Sequence, residues 1–69
     1  MEMEMEIECL NRMNMELSEL ESNLYKLDLF LDTKKYMELS ETNKRLLSEQ
    51  SDAMGRYASI LRRRIKLNE

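Results

Sequence analysis

The chain has several side chains suited to holding an anion and very few suited to reacting with one. Arg63 and Arg64 stand near the C-terminus, and Lys34 and Lys35 stand together mid-chain beside Tyr36. Arginine grips a phosphate through a planar fork, lysine as a point charge. Tyr36 and Tyr57 offer stacking faces for a base, and Gln50 offers an amide for a base edge. Gln50, Tyr57 and Arg64 recur at one seven-residue step, so a helix would align them in a single row. Together these residues are candidates for binding a small anionic nucleotide. Each also has a plain structural reading. Tyr57 suits a half-buried core position, Lys34 and Lys35 suit an exposed loop, and arginines in a last helical turn complement the macrodipole.

Catalytic groups are scarce. With no histidine in the sequence, no Ser-His or Cys-His pair can form. Cys9 is the single cysteine, so no internal disulfide exists and a structural zinc site is not expected. No glycine-rich phosphate loop is present, the one glycine being Gly55. The spacing of the carboxylates places most of them on solvated helix faces. The expectation is a protein that is not an enzyme, with no catalytic residues, no metal and no cofactor. No apolar run approaches the roughly 18 residues of a membrane span, and the acidic start is unlike a signal peptide. Membranes are therefore not expected partners.

The elements that must position the candidate residues follow from periodicity. Leu10, Met13, Leu17, Leu20, Leu24, Leu27 and Leu31 step by three and four in strict alternation. That 3.5-residue period predicts a helix burying one narrow seam against another helix. Residues 1–8 alternate methionine or isoleucine with glutamate and read as a frayed helical lead-in whose methionines suit an adaptable contact. The first helix is expected over 9–31, an elbow with a short helical turn over 32–40, and a second helix over 41–67. Asp32 and Thr33 end the first helix, and Ser40 is a good N-cap for the second.

On the second helix, Leu46, Ala53, Ile60 and Leu67 form one row, Leu47, Met54 and Leu61 a second, and Gln50, Tyr57 and Arg64 a third. Gly55 costs roughly 1 kcal/mol against alanine in a helix, which suggests a close approach by another backbone or a ligand. The fold class is all-α: a helical hairpin domain over 9–67, antiparallel, with a short helical elbow. Its apolar surface exceeds what one hairpin covers, so the expectation is a homo-oligomeric helical bundle.

Charge supports the antiparallel pairing. Residues 1–32 carry nine acids and two bases, a net of −7, and residues 33–69 five acids and nine bases, a net of +4. The halves attract each other, and the basic end can also meet an anionic ligand. The basic cluster is short and the whole chain is at −3, so a nucleic acid polymer is not an expected partner.

One resemblance rests on particular residues. The pattern Leu24-x-x-Leu27-x-x-Phe30-Leu31, then Tyr36-x-x-Leu39-Ser40, then Leu46-Leu47-x-x-Gln50-x-x-Ala53-Met54-x-x-Tyr57-x-x-Ile60-Leu61-x-x-Arg64-Ile65 resembles a family of very small bacteriophage proteins known from crAss-like and other phages. In size and hairpin layout such proteins are similar to phage immune-signal sponges. The resemblance implies a homo-oligomer, hexamers being common among sponges. It implies sequestration, without cleavage, of cyclic oligonucleotides from CBASS defence or cyclic ADP-ribose isomers from Thoeris defence. It also implies the host cytoplasm. By chemistry and position, the expected ligand-binding residues are Lys34, Lys35, Tyr36, Gln50, Tyr57, Arg63 and Arg64. The alternative is a structural or adaptor coiled coil that binds a host or phage protein.

Overall fold

A computed structural model of the chain describes the backbone of residues 2–69 and the side chains of residues 8–69. The expected packing of the lead-in methionines lies outside the described residues. The fold is all-α. Helix α1 spans Glu2–Leu31, α2 spans Lys34–Met37 and α3 spans Glu41–Asn68, with α1 packed on α3 as a hairpin. The result is a rod of 53 × 15 × 14 Å. α1 is one continuous helix through the boundary expected near Cys9. The sequence contains no proline and α1 no glycine, so nothing interrupts it.

Caps set the elbow. A helix leaves its first four N–H groups without internal partners. Thr33 is the N-cap of α2, and its hydroxyl oxygen accepts from the Tyr36 amide at 3.3 Å while its O–H donates to the Phe30 carbonyl at 2.6 Å. One side chain thereby closes α1 and opens α2. Ser40 caps α3 by accepting from the Asn43 amide at 3.2 Å. Tyr36 is the elbow's staple. Its ring meets Phe30 edge-on, with centroids 6.4 Å apart, and its phenol donates to the Lys44 carbonyl at 3.2 Å.

The core sits toward the end of the hairpin far from the elbow. Met13 of α1 meets Leu61 and Ile65 of α3, with Leu10, Leu17 and Leu20 packed against them. Ala58 is also fully enclosed. Toward the elbow, Leu24, Leu27, Leu31, Leu47 and Met54 are only half-buried. The face of α3 turned to α1 therefore consists of Leu47, Ser51, Met54, Ala58, Leu61 and Ile65. It combines one expected row with a second row, Ser51, Ala58 and Ile65, that the sequence reading did not single out. The row Leu46, Ala53, Ile60 and Leu67 lies outside it.

Polar ties flank the seam. Ser51 donates to the Asp28 carboxylate at 2.6 Å, and Arg62 pairs with Glu21 at 3.6 Å. These are exposed and contribute little to stability. Gly55 has no close neighbour inside the hairpin, since a Cβ added there meets nothing within 4 Å.

Candidate functional site

α3 carries two helix-pairing patterns one residue apart. The first faces α1. The second runs Leu46, Gln50, Ala53, Tyr57, Ile60, Arg64 and Leu67, again stepping by four and three. One residue is about 100° around a helix, so the second seam lies on one flank of the hairpin. It is open: Leu46 is 51% exposed, Ile60 46% and Leu67 84%. Three of the expected ligand residues, Gln50, Tyr57 and Arg64, belong to this seam. They lie between its aliphatic row and the groove with α1.

The Tyr57 phenol reaches across that groove and donates to the Glu16 carboxylate of α1. Glu16 raises the Tyr57 pKa, first through this hydrogen bond; desolvation and the carboxylate's charge add to the shift, and Arg64 opposes it. A rising pKa keeps the phenol a donor. Gln50 donates weakly to the Met54 sulfur at 3.8 Å, within its own helix. Arg64 is exposed, and its backbone carbonyl accepts from the Asn68 amide at 2.6 Å. Arg63, with Lys66 and Leu67, lines an open depression of about 420 Å³. Of the arginine triplet, Arg62 pairs with Glu21 of α1.

The remaining candidates sit at the opposite end. Lys34 and Lys35 are exposed on α2, and Tyr36 is engaged by Phe30 and Lys44. From Lys44 to Arg64 is about 30 Å along α3 at 1.5 Å per residue. One chain therefore brings Gln50, Tyr57 and Arg64 onto one face with Arg63 beside them, and keeps the elbow group apart. Sequence reasoning missed Glu16. No local pattern could have found it, because it acts across 41 residues of chain. Among the described residues no group of three His, Cys, Asp or Glu side chains converges as a metal site. Among the described residues no helix is long and apolar enough to cross a membrane.

Comparison with known families decides the relationship. The family model Sequestin matches residues 8–67. The chain belongs to the Sequestin family. The match spans the elbow and nearly all of both long helices of this Sequestin protein. No curated protein and no solved structure matches the chain.

Proposed function

We propose that this Sequestin protein sequesters a small anionic nucleotide at interfaces between subunits, without turning it over. The observation that carries the reading is the open seam of α3. There Tyr57, Arg64 and Gln50 supply a stacking face, a phosphate fork and a base-edge amide on one exposed stripe, with an aliphatic row beside them for a subunit contact. The family's name accords with sequestration. The absence of histidine from the sequence accords with binding rather than catalysis. Cyclic oligonucleotides and cyclic ADP-ribose isomers of phage defence are the proposed ligands, and the host cytoplasm the proposed site of action.

The test is native mass spectrometry with a panel of cyclic oligonucleotides and cyclic ADP-ribose isomers, followed by heat release and analysis of the ligand. The expected result is a homo-oligomer carrying ligand that is recovered intact. A linearised or hydrolysed product that disappears with Arg64→Ala would replace this reading with an enzyme. An adaptor coiled coil is the second reading, favoured by the apolar row Leu46, Ala53, Ile60 and Leu67, which a host or phage helix would also cover. Binding of no nucleotide in the panel, with an intact homo-oligomer, would favour it.

A further inference from the structure

The open seam has a composition that fits itself when turned around. From the geometry we infer that α3 docks antiparallel on α3 of a second copy, through a two-fold axis passing between Ala53 and Ile60. This rests on the self-assembly part of the function proposed above and not on the ligand.

Three features lead to it. The first is layering. About that axis Leu46 meets the second copy's Leu67, and Ala53 meets the second copy's Ile60, so a small residue faces a large one in each central aliphatic layer. Alternation of small and large across a helix pair is what close interdigitation needs. Between these layers Gln50 meets the second copy's Arg64 at both ends, and Tyr57 meets Tyr57 at the centre. The second feature is charge. Glu49 on the rim faces the second copy's Arg63, an attraction made twice by symmetry, with Arg56 alone near its own counterpart. A parallel pairing would instead set Arg63 and Arg64 against themselves, and like charges across a helix pair oppose association. The third is extent. The seam runs from Leu46 to Leu67, about 32 Å at 1.5 Å per residue. Its aliphatic side chains are exposed in the single chain, and covering them releases apolar surface from water.

The docking has a consequence for the separated candidates. Antiparallel α3 helices bring the elbow of each chain, with Lys34, Lys35 and Tyr36, to the end of the pair where the second copy presents Arg63, Arg64 and Lys66. Each pair then has two equivalent ends, each built from both chains and each holding Lys34, Lys35 and Tyr36 of one copy near Arg63, Arg64 and Lys66 of the other.

The test is disulfide trapping in a Cys9→Ser background, without nucleotide. Chains bearing Leu46→Cys and Leu67→Cys are mixed under mild oxidation, and Tyr57→Cys is oxidised alone. The expected result is a 46-to-67 linked dimer in the mixture and a self-linked dimer at 57, with little self-linking by Leu67→Cys alone. Self-linking of Leu67→Cys in preference to the mixed product would overturn the antiparallel arrangement. An assembled protein that links at none of these positions would place the contact elsewhere, on the flank that exposes Tyr25 and Leu29 or on the lead-in.

Ile60→Glu provides an independent arm. It should lose at least tenfold in self-association by sedimentation while keeping its helical circular dichroism, because Ile60 lies outside the hairpin core. Unchanged assembly would overturn the proposal, as would a wild-type protein that is monomeric at tens of micromolar. Calorimetry with the cyclic nucleotide panel separates the two readings. Trapping without nucleotide binding leaves the interface standing and removes the ligand. Nucleotide binding without trapping does the reverse.

Discussion

Leu61 and Ile60 are neighbours in sequence, and their surroundings differ completely. Leu61 has no exposed surface, whereas Ile60 is 46% exposed. The difference separates the two seams of α3. Both have the period of helix pairing. The seam toward α1 is aliphatic except for Ser51, which donates to Asp28 at its edge. The open seam places Gln50, Tyr57 and Arg64 between its aliphatic positions. Buried polar groups must be satisfied or they cost stability, so a seam with three polar layers makes a poor core for so short a chain. It makes a better contact surface, where polar layers specify register and partner. The hairpin uses the apolar seam for its own stability and leaves the mixed seam exposed.

Substitutions can break this contrast, beginning with the largest effect. Leu61→Ala should destabilise the hairpin by about 2–5 kcal/mol, the range for buried leucine, and thermal melting would show it. Ile60→Ala, one residue away, should leave the melting of a dilute monomer nearly unchanged. Equal losses at the two positions would mean that both seams are core. Arg64→Ala should weaken nucleotide binding about 10- to 150-fold, since a charge-assisted hydrogen bond contributes roughly 1.5–3 kcal/mol. Oligomer mass should hold, because the aliphatic layers remain. Calorimetry on Arg64→Ala and Tyr57→Ala would decide: wild-type affinity in both moves the ligand off this face.

Smaller effects sharpen the comparison. Gly55→Ala should stabilise the helix by about 0.5–1 kcal/mol, because the added Cβ has open space inside the hairpin. A domain of this size would melt a few degrees higher. If the variant is more stable and yet loses assembly or ligand, the glycine serves a contact with another molecule. The smallest effect is at alkaline pH. The folded protein holds the Tyr57 proton more tightly than the unfolded chain, whose tyrosine has a pKa of 10.0. That contribution is complete below the unfolded pKa and disappears as pH rises through the raised folded value. Tyr57→Phe should remove this alkaline step from a stability profile, and the step should be small because the phenol is exposed.

The elbow shows how much of the hairpin was legible from local chemistry. Thr33 and Ser40 are residues whose short polar side chains cap helices wherever a chain turns, and both do so here. Tyr36 shows the opposite. Its type gave no sign of its neighbours: its phenol donates to the Lys44 carbonyl while its ring packs on Phe30. A residue's type states what contacts it can make, and the neighbouring elements decide which of them form within the chain.

The sequence by itself determined the helices, their caps and the antiparallel hairpin. Periodicity, capping residues and the absence of proline act over a few residues, and the opposite charges of the two halves act on the pairing as a whole. It also determined that α3 has more apolar surface than α1 can cover, since two patterns on one helix cannot both face one partner. The tertiary structure decided which pattern α1 takes. Leu47, Met54 and Leu61 are joined there by Ser51, Ala58 and Ile65, while Leu46, Ala53, Ile60 and Leu67 stay outside. Two rows one residue apart are equivalent by periodicity. They differ only in how closely a second helix can pack over them and in which flanking side chains, such as Glu16 with Tyr57 and Asp28 with Ser51, then come within hydrogen-bonding reach.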